Sequence, residues 1–328
     1  MSQISVEEEL RERRDRLTGT IASVGRAPDL VRLLGEVDAA LDSLSDGTHG
    51  MCELCEEPVE DDVLAANPMA RYCLCHVPPE RLAALQRDLD LAWRIQSGLL
   101  PKQNLTFAGW ETHYRYVPAG PVSGDYCDLV AHQGDGDALY FLLGDVSGKG
   151  VAASFLMAHL NALFRSLIGV GLPLAELVES ANRVFSKSTL ANHYATLVAG
   201  RATADGSVEI CNAGHLPPLV VRRGEVCPVS ASGFPVGVFD SSPYQSHHVT
   251  LDPGDTLFLY TDGLTETVGP AEREYGIEGL SRLLRHSYSL DPTAMAAAAI
   301  SDLDAHQAGT DRSDDLTLMV VRRSPWMS

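Results

Sequence analysis

Two unbroken apolar runs in this chain each end at an aspartate followed by a glycine-containing turn. LYFLLG leads into Asp145 of GDVSGKG, and TLFLYT leads into Asp262 of TDGLTE. A run of this length with no polar alternation reads as a strand buried on both faces, and the turn after it carries the carboxylate to the sheet's edge. Two further aspartate motifs, Ser-Gly-Asp125 and Asp314-Asp315-Leu-Thr, flank them in sequence. Carboxylates held at strand ends but open to solvent form a cage of hard oxygen ligands, so the pattern predicts a metal site.

The rest of the chain limits what such a site can serve. Its 328 residues, 45% of them hydrophobic, are enough for one large domain and a smaller one. Lys and Arg number 25 against 44 Asp and Glu, a formal charge of -19 that disfavours nucleic acid and anionic membranes as direct partners. The first sixteen residues, MSQISVEEELRERRDR, are charged, and no long apolar window is read after them. A cytoplasmic protein is expected.

Residues 29 to 45 carry Leu30, Leu34, Val37, Leu41 and Leu44 at helical spacing, with Asp29 as the expected N-cap. Next comes a cysteine cluster. Cys52 and Cys55 form one CxxC pair, seventeen residues intervene, and Cys73 with His76 forms a CxxH pair of the same bite. Two tight pairs on a short loop suit tetrahedral zinc. Cys75 competes with His76 for the fourth position, and His76 is favoured because a CxC pair closes a tighter ring. Residues 79 to 100 form a further helix with Leu82, Leu85, Leu89, Ala92, Ile95 and Leu99 on one side, stopped by Pro101. It reads either as a plain connector or as an element that passes rotation or dimerisation between two domains.

From 102 onward, apolar strands and tight turns predominate. Hairpins are expected around Asp205-Gly206 and Arg223-Gly224, helices over 151–168, 174–189 and 292–307, and a last strand over 316–322. The sum is an α+β domain of antiparallel sheets with helices packed outside. Asp205 and Asp240 read as ordinary turn formers. Asp145 and Asp262 do not, because carboxylates gathered this closely need a divalent cation to neutralise them. Oxygen-only ligands favour Mg2+ or Mn2+, and two such ions about 4 Å apart can activate a bridging water for in-line attack on a phosphoester. Nucleophilic alternatives fit less well. Ser147 lacks the GxSxG elbow, Cys127 and Cys211 lack basic neighbours, and GDVSGKG fails the spacing of a phosphate-binding loop.

Two resemblances follow from the motifs. GTHGMCELC with ARYCLCH resembles the zinc finger of the DksA/TraR family of RNA-polymerase-binding regulators, with His76 or Cys75 where that family has its fourth cysteine. Only the fold of the finger is carried over. The strings RIQSGLLP (94–101), VSGDYCD (122–128), GDVSGKG (144–150), NAGHLPPLV (212–220), FPVGVF (234–239), FLYTDGLTET (258–267) and DDLTLMVVR (314–322) resemble, in order, the PPM family of metal-dependent serine/threonine phosphatases. That family includes protein phosphatase 2C, and the subgroup matched is the SpoIIE/RsbU type.

The second resemblance implies an antiparallel β-sandwich flanked by helices, preceded here by a helical zinc-finger module. The implied division is 1–45 helical, 46–78 finger, 79–101 linker helix and 102–324 phosphatase. It also implies two Mn2+ or Mg2+ ions beside the finger's one Zn2+. Asp145 would bridge the two ions, with the carbonyl of Val146 on the second. Asp262 and Asp314 would complete the first ion's shell, with Asp315 as the neighbour that could be confused with Asp314. Asp125 would act near the second ion, directly or through water. The implied substrate is a phosphorylated STAS-domain antagonist of an anti-sigma factor, with control by an upstream activator, the finger and the linker, and a homodimer through the linker helices. The contrasting reading is a non-catalytic scaffold that holds a STAS protein or RNA polymerase.

Overall fold

The computed structural model describes residues 3–325 apart from 26, 78, 135, 190–192, 231–232, 271, 310–311 and 313. The chain divides between Asp88 and Leu89 into two compact units.

In the first unit, α1 (Gln3–Val24) pairs with α2 (Pro28–Ser45) around Leu10, Val37, Ala40 and Met69. Asp29 is not the N-cap of α2. Ala27 holds that position without a side-chain bond, because Pro28 supplies a preset φ at the first helical residue and leaves Asp29 in the first turn. The short α3 (Asp61–Ala66) and a 3-10 turn at Leu74–His76 follow, and α4 (Pro79–Leu99) crosses the division between the units.

The second unit begins with β1 (Asn104–Phe107), β2 (Trp110–Val117), β3 (Asp125–His132) and β4 (Ala138–Val146). Two helices, α5 (Gly150–Ile168) and α6 (Leu174–Ser188), come next. The strands β5 (Ala195–Thr203), β6 (Ser207–Ala213), β7 (Leu219–Arg222), β8 (Glu225–Pro228), β9 (Ser246–Thr250) and β10 (Thr256–Tyr260) follow. The chain ends with α7 (Asp262–Thr265), α8 (Gly276–Ser287), α9 (Pro292–Gln307) and β11 (Leu316–Arg323). One sheet has the order β1-β2-β11-β10-β7-β8 and the other β3-β4-β5-β6-β9. Every ladder is antiparallel. Both expected hairpins are present, as β5–β6 and β7–β8.

The sandwich explains the unbroken apolar runs. Along β4, Leu139, Phe141 and Leu143 enter the core between the sheets, while Tyr140 and Leu142 enter the layer under α5 and α6. Along β10, Leu257 and Leu259 face the inter-sheet core, and Phe258 and Tyr260 face α8 and α9. A strand covered on both faces has no position left for a polar side chain.

Further features depart from the sequence reading. The helix α8 was not anticipated. Nor does the absence of a long apolar window hold, since the 19 residues of α5 are long and apolar enough by length and composition to cross a membrane. Here α5 buries Ala153, Met157, Leu160, Phe164 and Ile168 and packs on β3 and β4. Its Arg165 grips the buried Asp128 with two bonds of 2.8 Å each.

Candidate functional site

Strand β4 carries the first carboxylate, Asp145, to its end beside Val146. The register sets Asp125, the first residue of β3, directly across from it, so the two side chains share a face. The other sheet brings the remaining motifs. Tyr260 pairs with Leu318, and beyond that pair the strand ends lock together. The Thr261 N–H donates to the Thr317 carbonyl at 2.9 Å, and the Thr317 N–H donates to Thr261 Oγ1 at 2.9 Å. Asp262, first in α7, therefore lies beside Asp314 and Asp315, which precede β11.

The two neighbours at 314 and 315 do different things. Asp315 accepts the N–H of Ala119 at Oδ1 and that of Gly124 at Oδ2, both at 2.8 Å, so both oxygens fasten the loop leading to Asp125. Asp314 is half-buried and receives Lys149 Nζ at 3.1 Å on Oδ2. Burial, followed by the charges of Asp262, Asp314 and Asp315, pushes the Asp145 carboxyl up to about 7. Burial and Asp314 likewise raise Asp262. These groups sense one another as like charges, which a divalent cation would relieve.

Asp125 is not a solvent-open carboxylate. It is 1% exposed, and its Oδ2 accepts the hydroxyls of Thr317 at 2.5 Å and Thr261 at 3.1 Å. It opens its strand against the locked ends of β10 and β11, so threonines rather than water complete its shell. Burial holds it well above the usual carboxylate range, with Asp145 and Asp315 adding to the shift against the pull of Thr317.

The surroundings fit a hard cation. All donors are oxygens, and Gly124 leaves a cradle that a side chain would fill. A Cβ there would come to 3.2 Å from the Val146 carbonyl oxygen and 3.6 Å from Asp145 Oδ1. Beside the cradle lies a pocket of about 280 Å³ lined by Asp145, Thr196, Gly214, His215, Asp262 and Glu266. Its His215 donates from Nε2 to the Tyr260 carbonyl at 3.1 Å and meets the Thr196 hydroxyl at Nδ1 at 2.7 Å. Burial lowers it to about 4, so it stays neutral and braces the two strands.

Several residues in the quoted motifs matter beyond the aspartates. Thr261, Thr317 and His215 are described above. Gln96 of α4 is buried and grips the Ser123 peptide from both sides, donating Nε2 to its carbonyl at 2.6 Å and accepting its N–H at 3.0 Å. The Ser123 hydroxyl in turn accepts the N–H of Asp125 at 3.1 Å, a bond unavailable to a glycine at that position. Their advance signal was membership of the quoted strings: Gln96 in RIQSGLLP, Ser123 in VSGDYCD, His215 in NAGHLPPLV, Thr261 in FLYTDGLTET and Thr317 in DDLTLMVVR.

In the first unit, the ligand atoms of Cys52, Cys55, Cys73 and His76 all lie within 4.8 Å of one another, while Cys75 is exposed. Cys73 Sγ is 3.8 Å from Cys55 Sγ and 3.1 Å from His76 Nδ1. Burial raises both Cys52 and Cys73. At Cys52 the N–H groups of Cys73, Leu54 and Cys55 reverse this and lower the thiol, whereas at Cys73 the neighbouring thiols raise it further. The set is compatible with tetrahedral zinc.

The family model described as Stage II sporulation protein E (SpoIIE) matches residues 135–324, more than half of the chain. The chain belongs to the SpoIIE family. Among curated relatives, protein IcfG of Synechocystis sp. is 27% identical over 266 residues, covering 72% of this chain and 42% of IcfG. Phosphoserine phosphatase RsbU of Bacillus subtilis is 23% identical over 273 residues, 78% of this chain and 77% of RsbU. The chain thus spans less than half of IcfG but about three quarters of RsbU.

Among solved structures, the RsbU and RsbW domains of Rv1364c from Mycobacterium tuberculosis match with a TM-score of 0.59 and 27% identity, over 70% of this chain and 63% of that one. The SiaA-PP2C domain of Pseudomonas aeruginosa matches with a TM-score of 0.65 and 20% identity, over 75% and 99%. The expected PP2C-type sandwich is the fold found.

Proposed function

We propose that this protein is a metal-dependent protein serine/threonine phosphatase whose substrate is a phosphorylated STAS-domain antagonist of an anti-sigma factor. The observation that carries this reading is the meeting of Asp145, Asp262 and Asp314 at the ends of three strands, beside an open pocket, in a PP2C-type fold. The name of RsbU, a phosphoserine phosphatase, supports the substrate class.

In this reading Asp145, with the Val146 carbonyl, Asp262 and Asp314, would hold two Mn2+ or Mg2+ ions, Asp145 being the residue shared between them, and Asp125 would act near the second, directly or through water. When bound, the ions supply the charge that polarises the phosphoester and its attacking water. The chain's own part is to hold the oxygens in place. Thr261 and Thr317 fix the buried Asp125, and Asp315 pins the loop before it. Lys149 keeps Asp314 partnered.

Phosphate release from p-nitrophenyl phosphate and from a phosphorylated STAS protein, with Mn2+, tests the proposal against Asp145→Ala. Loss of release in the variant is expected. Wild-type protein that holds a STAS partner without any metal-dependent release would instead mark a scaffold.

We further infer that the finger holds one structural zinc and that it and α4 regulate the phosphatase. The grip of Gln96 on Ser123 supports the second point, because it ties α4 to the residue two before Asp125. Elemental analysis of purified protein is expected to give one zinc per chain, lost in Cys52→Ser; zinc-free wild type would overturn it.

A further inference from the structure

The FPVGVF string has no part in holding the aspartates, yet the fold fastens it firmly beside them. Val236 exchanges both backbone bonds with Ala195 at 2.8 Å, and Thr196, the next residue, lines the pocket. Gly237 N–H donates to Asn182 Oδ1 at 2.8 Å, and Asn182 Nδ2 donates to the Phe239 carbonyl at 2.9 Å. Pro235 sits on Gly214, another pocket residue, so closely that a Cβ there would come to 2.7 Å from its ring. The segment is a lip on the pocket, held by a buried asparagine.

What the lip presents is apolar. Phe234 is 58% exposed and Phe239 50%, their rings edge to face at 5.1 Å, with Val238 exposed between them. Tyr194 is exposed next to it and is tied to the loop after Asp145, since its N–H donates to Ser147 Oγ and its carbonyl accepts the Ser147 N–H, both at 2.9 Å. A free loop would fold such rings inward. This one is pinned with its rings outward, a preorganised arrangement typical of binding surfaces rich in aromatics.

We propose that the lip formed by Phe234, Val238, Phe239 and Tyr194 docks the folded protein substrate, packing on an apolar patch that flanks its phosphoserine. The argument for this occupant is position. The lip rests against Gly214 and beside Thr196 of the pocket wall, so a protein that presents a phosphoryl group to the aspartates has the lip at the pocket's rim to pack on. A small ester needs no such contact. This rests on the phosphatase reading and adds the way in which a protein substrate is told from a small one.

The test is Phe234→Ala with Phe239→Ala in the full chain, with thermal midpoint as the folding control and Phe239→Leu as the milder variant. Two measurements are taken. The first is binding of a serine-phosphorylated STAS protein to chains inactivated by Asp145→Ala, with and without the lip changes. The second is turnover of p-nitrophenyl phosphate with the aspartate intact. Binding is expected to weaken at least tenfold in the double variant and less in Phe239→Leu, with p-nitrophenyl phosphate turnover unchanged. Unchanged binding, no binding even with the lip intact, or an equal fall in p-nitrophenyl phosphate turnover would overturn the docking role. Lip-dependent binding without turnover of either substrate would leave docking standing and remove the phosphatase reading.

Discussion

Gly263 follows Asp262 in the YTDG string, and the reason it is glycine lies far downstream, at Asp315. A Cβ there would overlap the Asp315 carbonyl, part of the backbone that sets both Asp314 and Asp315. Gly263→Ala is expected to cost about 1–3 kcal/mol through this overlap and to cut Mn2+-dependent phosphate release at least tenfold. A urea midpoint and a release assay check it, and full activity in the variant would contradict it. Asp145 gives a pH signature. Its folded value, about 7, lies above the unfolded value of about 4, so its contribution to stability is full below about pH 4. That contribution is lost as pH rises through about 7, because the unfolded chain releases its proton first. Metal-free protein should therefore weaken across that window, and Mn2+ should raise the thermal midpoint more at about pH 8 than at about pH 5. A midpoint gain that is the same at both would count against it. At this scale the sequence was partly legible. The aspartate positions could be read from motifs, but the burial of Asp125 could not, because it depends on Thr261 and Thr317, 136 and 192 residues away. The difference between Asp314 and Asp315 likewise rests on the N–H groups of Ala119 and Gly124.

Among elements, α5 shows how little of its cohesion is visible in composition. Its apolar face packs on β3 and β4, and Arg165 is fastened to Asp128, which has no exposed side-chain surface. Arg165→Ala removes both guanidinium bonds from that carboxylate, leaving it Asn161 at 3.3 Å and the Leu129 N–H at 2.8 Å among the described bonds, and should destabilise the protein by about 3 kcal/mol in denaturant titration. A change within experimental error would mean that water replaces the guanidinium fully. The two apolar strands β4 and β10, both hairpins, the last strand and most of the longer helices were readable because their apolar spacing matches the layer that covers them, whereas β1, β2, β3 and β9 were not singled out. The helix α8 was missed although Leu280 and Leu284 lie one turn apart on its buried side. Its twelve residues offer only a short stretch of periodicity among charged positions.

For the whole molecule, the chain joins a cysteine–histidine cluster and a carboxylate cluster of opposite chemical preference. The soft set is packed against Val59, Val63 and Leu64, whereas the hard set borders an open pocket. Each would favour its own cation class, so Mg2+ or Mn2+ removal and zinc removal should be separable. The helix α4 begins three residues after His76 and reaches Gln96, the one buried residue along it. At 1.5 Å per residue its 21 residues span about 32 Å, and each residue turns the axis by about 100°. If the finger controls the phosphatase through α4, as proposed, that control depends on helical phase. Two residues inserted between Asp88 and Leu89 shift the helical phase of Gln96 along α4 by about 200°, whereas seven return it to within about 20°. Regulation through the finger should vanish with the first insertion and largely survive the second, although the second is the longer. Equal effects of both would show that only the distance along α4 counts.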